Sequence, residues 1–229
     1  MQKKVHKPDQ IQFTGPRVKE VLDDKVNSER LLRIHNEFTK GFEFLEKYGL
    51  AASIFGSARC DAKDDIYKEA YDLAWGLSKE GFAIITGGGP GVMEAANKGA
   101  YDAGGQSVGI NIQLPSEQRT NPYVKDSESF HYFFTRKVML AFASEVYIFF
   151  PGGFGTLDEF FEMATLVQSE KIEPIPIILV NKEYWTPLLD WINKTLYEKN
   201  KSISKEDMSL YRLVGDAKEA LQVIKKMVV

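Results

Sequence analysis

Apolar residues along this chain follow two rhythms that take turns. Nearly unbroken apolar runs at Ala51–Phe55, 82–85, 146–150 and 175–180 read as strands buried on both faces, and 106–112, where apolar and polar residues mix, reads as another strand. Between them, apolar positions recur every three or four residues, the spacing of a helix with one buried face. Asp61 is placed to cap a helix through Lys79 that stops at Gly81. A second helix runs from Val92 until Gly104 and Gly105, and a third follows Thr135 as cap through Ser144. A fourth covers 161–168, and Thr186 followed by Pro187 opens another. The patterns SKED at 204–207 and DAKE at 216–219 are capping signals for C-terminal helices. Strands alternating with helices predict an α/β fold: one domain built on a Rossmann-like, doubly wound parallel sheet.

Ahead of this alternation, Leu31, Ile34, Phe38, Phe42 and Leu45 mark the stripe of an extra N-terminal helix over 28–48, ended by Gly49 and lying as a satellite to the core. Residues 1–27 are polar and read as an arm; 28–229 read as the single domain. The aromatic run 130–134 alternates poorly and reads as an extended piece near a sheet edge. The polar stretch 113–129 is long for a loop in a compact domain and is expected to cover or line a site.

Composition narrows the function more than the fold. With 44% hydrophobic and 27% charged residues the chain is an ordinary globular one, and a net charge of −3 supplies no field to draw in nucleic acid or anionic lipid. The lone cysteine, Cys60, has no partner for an internal disulfide and fits a reducing compartment. The histidines are scattered, and no zinc-ligand spacing occurs. No apolar stretch reaches the roughly 20 residues of a spanning helix, and residues 1–10 lack the apolar region of a signal peptide. A cytoplasmic protein is expected.

Strands of a parallel sheet all leave at one edge, so three glycine-bearing exits must share a rim. Gly56, Ser57 and Arg59 follow the first run, Gly87, Gly88 and Gly89 the second, and Gly152, Gly153, Gly155 and Thr156 the run at 146–150. The ligand crevice belongs where the strand order reverses. A glycine turn entering a helix offers free N–H groups and the positive dipole end to an anion, and glycines there can approach a ligand closely or take positive φ. Thr156 adds a hydroxyl, and Glu159 places a carboxylate about one turn further. Glu94 stands in the same relation to the second turn, and Arg59 is a candidate phosphate clamp. Arg136 and Lys137 fall in a helix's first turn, where cations oppose the dipole, so an anion is expected close to them. Each feature also has a plain structural reading: close strand–helix packing for the glycines, dipole pairing for the carboxylates, a solvated loop for Arg59.

The second turn, TGGGPGV, does not fit the dinucleotide fingerprint, and Asn111 stands where an acidic residue would end the next strand; no Walker loop occurs. Taken in order, GGGPGVMEAAN, FFTRK and PGGFGTLDE resemble the motifs of the LOG family, whose members are often labelled lysine decarboxylases, over about 51–191. The segment NIQLPSEQRTNPY is similar to the longer bacterial branch of that family. The resemblance implies a phosphoribohydrolase that cleaves the N-glycosidic bond of a nucleoside 5′-monophosphate, AMP or a cytokinin ribotide, giving free base and ribose 5-phosphate. It implies Arg136 and Glu159 as catalytic residues, Gly152, Gly153, Gly155 and Thr156 as the phosphate turn, a homodimer, and no metal or cofactor. Cleavage of a glycoside builds positive charge on the sugar, which a carboxylate at Glu159 would stabilise while orienting water. The decarboxylase label would require a Schiff-base lysine, for which Lys137 is the nearest residue. A different class stays open: a carrier of the same fold that binds a nucleotide or pterin cofactor without turning it over.

Overall fold

The computed structural model describes residues 24–113 and 120–227, so most of the expected N-terminal arm and the middle of the long polar loop lie outside the described residues. Helix α1 (Asp24–Leu45) precedes strand β1 (Ala51–Phe55), followed by α2 (Asp65–Lys79), β2 (Ala83–Thr86), α3 (Val92–Asp102) and β3 (Ser107–Ile112). Then come β4 (Asp126–Phe130), α4 (Phe133–Ala141), β5 (Val146–Phe149), α5 (Phe154–Gln168), β6 (Ile177–Val180) and α6 (Lys182–Trp191), which passes into a wider π-helical stretch, Ile192–Lys199. A short 3-10 turn (Glu206–Ser209), β7 (Tyr211–Val214) and α7 (Ala217–Met227) close the chain.

The seven strands form one parallel sheet in the order β4-β3-β2-β1-β5-β6-β7, so the predicted α/β architecture is the one observed. The unbroken apolar runs have a simple cause. Alternate residues of each strand enter opposite cores: Ala52, Ile54, Val146 and Ile148 face α2, α3 and α7, whereas Ala51, Phe55, Tyr147 and Phe149 face α1, α4, α5 and α6. Removing each large side chain from water contributes roughly 1.5–3 kcal/mol, and both faces of the central strands gain it.

Several local expectations shift. The run 130–134 is the end of edge strand β4 plus the first residues of α4, which begins at Phe133 with Tyr132 at the N-cap position; Thr135 is therefore inside the helix. Asp61 closes a turn, its N–H donating to Asp64 Oδ2 at 2.8 Å, and α2 starts only after Asp64. Helix α6 is capped by Asn181, whose Oδ1 accepts from the Tyr184 N–H at 2.9 Å, so Pro187 lies in the helix interior, where it has no N–H to give to the preceding turn. Of the two predicted capping boxes, Ser204 and Asp207 bond each other's backbone N–H but open only the 3-10 turn, while Asp216 accepts from Glu219 N and Glu219 reaches the Gly215 N–H in place of the Asp216 N–H.

Helix α1 forms, and part of the expected stripe, Ile34, Phe38 and Leu45, is half-buried. Phe44 is buried, with Phe38, Leu45 and Tyr48 packed on the same core, while Leu31 and Phe42 face outward. Gly41 lets α1 approach α4 closely, since a methyl there would meet Met139 Sδ at 2.3 Å.

Helices α2 and α3 cross through Gly99, where an added methyl would come within 2.3 Å of the Tyr71 carbonyl oxygen. Helix propensity alone makes Gly99→Ala stabilising by about 1 kcal/mol. Because the obstructing atom is backbone, we expect a net loss of about 1–3 kcal/mol in urea unfolding; an unchanged or raised midpoint contradicts the packing argument.

Candidate functional site

The strand order reverses between β1 and β5, and the loops leaving those two strands open a cavity of about 1290 Å³ above the sheet edge. Backbone hydrogen bonds tie its floor together: Ser57 N donates to Pro151 O at 3.0 Å, and Val92 N to Ser57 O at 2.9 Å. Gly56, Ser57, Arg59, Gly87, Gly88, Gly89, Arg136, Gly152, Gly153, Gly155, Thr156 and Glu159 all line it. Glu94 and Lys137 do not. Glu94 turns toward α2, where Tyr67 OH donates to its Oε1 at 3.3 Å. Lys137 points into α5, with Asp158 at 2.6 Å, Glu162 at 2.9 Å and Glu159 at 3.6 Å.

The turn after β5 is built to present the start of α5. Gly153 is its N-cap, and Phe154 and Gly155 occupy the first two helical positions, where no carbonyl of the same helix reaches their N–H groups. A methyl on Gly152 would lie 2.1 Å from Thr156 Oγ1, so the missing side chain lets that hydroxyl tuck under the turn. Tyr184 OH holds the Gly152 carbonyl at 2.7 Å from outside the turn. At Gly153 and Gly155 an added methyl meets only open space. Positive φ belongs elsewhere than expected: Gly88 (71°) and Gly91 (73°) adopt it, and the glycines of the turn after β5 do not.

The turn after β2 is held from behind. Gly88 N donates to Thr86 Oγ1 at 2.9 Å, while Asn121 donates through its backbone N to Gly88 O and through Nδ2 to Gly89 O. Asn97 joins Thr86, Asn121 and Ser107 in the same buried network. Gly87 leaves room for Arg136, whose Nη2 is 2.4 Å from where a methyl would stand, and Arg136 Nε donates to Ile110 O at 2.8 Å. Asn111, at the end of β3, lines the cavity with its Oδ1 buried and without a hydrogen-bond partner among the described residues.

Glu159 is 6% exposed, and burial pushes its carboxyl up to about 7, a rise that Lys137 and Arg136 oppose and that Glu162 reinforces. Burial also lowers the Arg136 guanidinium, against the pull of the Glu159 charge. Desolvation acts most strongly on Lys137 and would lower it, but the bonds to Asp158 and Glu162 together with the Glu159 and Glu162 charges raise it overall. The site therefore sets one proton-exchanging carboxyl beside a desolvated arginine. Among the described residues, no three histidine, cysteine, aspartate or glutamate side chains converge as metal ligands, and no helix is long and apolar enough to cross a membrane. Reading the sequence missed Asn97, Asn121, Asn111 and Tyr184, whose roles depend on partners that no local pattern marks.

The family described as "Possible lysine decarboxylase" matches residues 93–224. Cytokinin riboside 5′-monophosphate phosphoribohydrolase LOG4 of Arabidopsis thaliana is 28% identical over 185 residues, spanning 79% of this chain and 82% of that protein. "Probable cytokinin riboside 5′-monophosphate phosphoribohydrolase LOGL5" of Oryza sativa subsp. japonica is 34% identical over 135 residues, 56% of this chain, and the match spans only 53% of the rice protein's length. Among solved structures, the molybdenum cofactor carrier protein of Chlamydomonas reinhardtii shares the fold at a TM-score of 0.59 and 21% identity, covering 78% of this chain and 98% of that one. The molybdenum cofactor binding protein of Rippkaea orientalis does so at 0.56 and 23%, covering 79% and 96%.

The raised carboxyl has a consequence for stability. Below about pH 4.5 Glu159 is protonated in both folded and unfolded chains; between there and about 7 only the folded chain keeps the proton, so stability falls as pH rises through that window. Glu159→Gln removes the titration. Relative to this variant, the parent chain should lose about 2–3 kcal/mol between about pH 5 and 8 in denaturant titrations; parallel pH profiles would show Glu159 to be ionised throughout.

Proposed function

The chain belongs to the LOG family, and we propose that it is a nucleoside 5′-monophosphate phosphoribohydrolase, splitting an AMP or cytokinin ribotide type substrate into free base and ribose 5-phosphate. The observation that carries this reading is Glu159: a buried carboxyl, pushed to about 7, opening onto the cavity beside Arg136 and just inside the N-terminus of α5. A site made only to bind a phosphate has no use for a carboxylate that opposes the anion.

The reaction needs little else. The first N–H groups of α5, with Thr156, hold the 5′-phosphate and so fix the ribose over Glu159. As the bond from C1′ to the base nitrogen lengthens, positive charge grows on the sugar and the Glu159 carboxylate stabilises it. Water adds its oxygen to C1′ and gives a proton to Glu159; Arg136 stabilises the negative charge that develops on the departing base, which takes a proton from solvent, and Glu159 then returns its own proton to solvent. A carboxyl titrating near neutrality can accept and release that proton in each cycle.

The description "Possible lysine decarboxylase" points to different chemistry, and the residues do not fit it. No lysine lines the cavity among the described residues, and Lys137 is enclosed by Asp158, Glu159 and Glu162, where a Schiff base to a cofactor would have no room. One observation favours the carrier reading: about 1290 Å³ exceeds the roughly 300–1,000 Å³ of typical small-ligand sites. The same cavity would also serve a homodimeric cytoplasmic enzyme whose partner copy narrows it, an arrangement that belongs to this proposal.

Incubating AMP with the protein should release adenine and ribose 5-phosphate, with kcat/KM falling on the acid side near the Glu159 titration. Glu159→Gln should lower kcat by about 10²–10⁴-fold while AMP still binds by calorimetry. Arg136→Ala should weaken binding and turnover together. Binding without base release from any 5′-monophosphate supports the carrier instead.

A further inference from the structure

Arg136 enters the cavity from α4, and the start of that helix is an electrostatic problem. Tyr132 occupies the N-cap position and makes no side-chain capping bond, and two cations follow within the next five residues at the positive end of the helix dipole. The compensating anion comes from a distant part of the chain. Glu37, in the middle of α1, accepts from the backbone N–H of His131 at 2.9 Å through one carboxylate oxygen. Its other oxygen accepts from the Tyr132 N–H at 3.3 Å and from the Thr135 hydroxyl at 2.5 Å.

We propose that Glu37 is a positioning residue for Arg136: by capping α4 from α1, it fixes where the guanidinium stands in the cavity. The inference rests on the reading of the site given above. Three features make the link mechanical. Thr135, fully buried, is the residue directly before Arg136 and is bonded to Glu37. Gly41, one helical turn beyond Glu37, lets α1 pack closely against Met139 of α4, so the two helices meet directly beside the cap. At the far end Arg136 has a single fitted seat, between the Ile110 carbonyl and the space left by Gly87. A small displacement of the start of α4 therefore moves the guanidinium off that seat. This gives the extra N-terminal helix, which lies ahead of all the glycine motifs, a task at the site.

The test uses the full chain with Glu37→Gln, Glu37→Ala and, as a control, Phe44→Ala, which loosens the same helix by deleting a buried ring without touching the cap. Both Glu37 variants should raise the AMP Kd and lower kcat/KM by about tenfold, and the loss should vanish in an Arg136→Ala background, because the two residues act as one unit. Phe44→Ala should lower Tm but leave Kd within about twofold. Equal losses with and without Arg136, or a Phe44→Ala variant as impaired as Glu37→Gln, overturn the proposal. An Arg136→Ala variant that binds and turns over AMP normally instead sinks the underlying site reading. A ligand-free measurement keeps the two apart: the Glu159 titration, followed by its carboxyl carbon shift, should move upward in Glu37→Gln as the Arg136 charge is displaced, with Lys137 and Glu162 left in place. An unmoved midpoint in a folded variant rejects the role of Glu37, whatever AMP does.

Discussion

A parallel sheet delivers every strand to the same edge, and in this chain neighbouring strands β1 and β5 then send their connections to opposite faces. The two loops must diverge, and the gap they leave is a crevice made by topology alone. Everything at the site is arranged about that gap. α5 points its N-terminus into it because β5 ends there; α4 brings Arg136 across the second face; and the loop after β1 is pinned to both sides by Ser57, through Pro151 O and Val92 N. Side chains do not have to open the cavity, so they are free to define its chemistry.

The charges in it act strongly because the groups that carry them are buried. Glu159, Arg136 and Lys137 are packed close enough to bias one another, yet burial dominates the titration of the glutamate and keeps its proton bound to about neutral pH. Stability is thereby given up above that pH, in a region where a surface glutamate would lose nothing. A carboxyl that only paired with the helix dipole would sit at the surface of the first turn. Glu159 lies a turn and a half in, on the buried side, where its charge is least comfortable and most effective.

The parts of the fold that follow from burial were legible in the residues. Strands enclosed on both faces produce unbroken apolar runs, and β1, β2, β5 and β6 could be placed to within a residue or two. The rim was legible because glycine is scarce in strands and helices and dense at their junctions here. What was not legible depends on long-range hydrogen bonds. Glu37 reads as an ordinary polar position of an amphipathic helix, and nothing in its neighbours announces that three donors 94 to 98 positions away converge on it. The cations that follow gave no clue to it, because Glu37 caps the helix start and bonds neither Arg136 nor Lys137; the carboxylates around Lys137 are Asp158, Glu159 and Glu162. Asn181 likewise won the start of α6 over the Thr186–Pro187 signal, because β6 ends directly before it and its side chain can reach Tyr184 N at once.

Glycine density alone also could not say how the two turns differ; what each turn's groups bond to and make room for does. In the turn after β2 the Gly88 N–H is consumed by Thr86 and the carbonyls of Gly88 and Gly89 are consumed by Asn121. Its glycines are required for what they make room for: the Arg136 guanidinium at Gly87 and the Asn111 side chain at Gly88, where a methyl would fall 1.8 Å from Oδ1. In the turn after β5 the bonds run the other way. The Gly152 carbonyl is held from outside by Tyr184, and the N–H groups of Phe154 and Gly155 are left at the head of a helix that opens on the cavity. One turn is a wall shaped around an arginine, and the other presents the head of a helix to the cavity; in the proposed reaction the phosphate takes its partners at the second, with the sugar over Glu159 and the base toward Arg136.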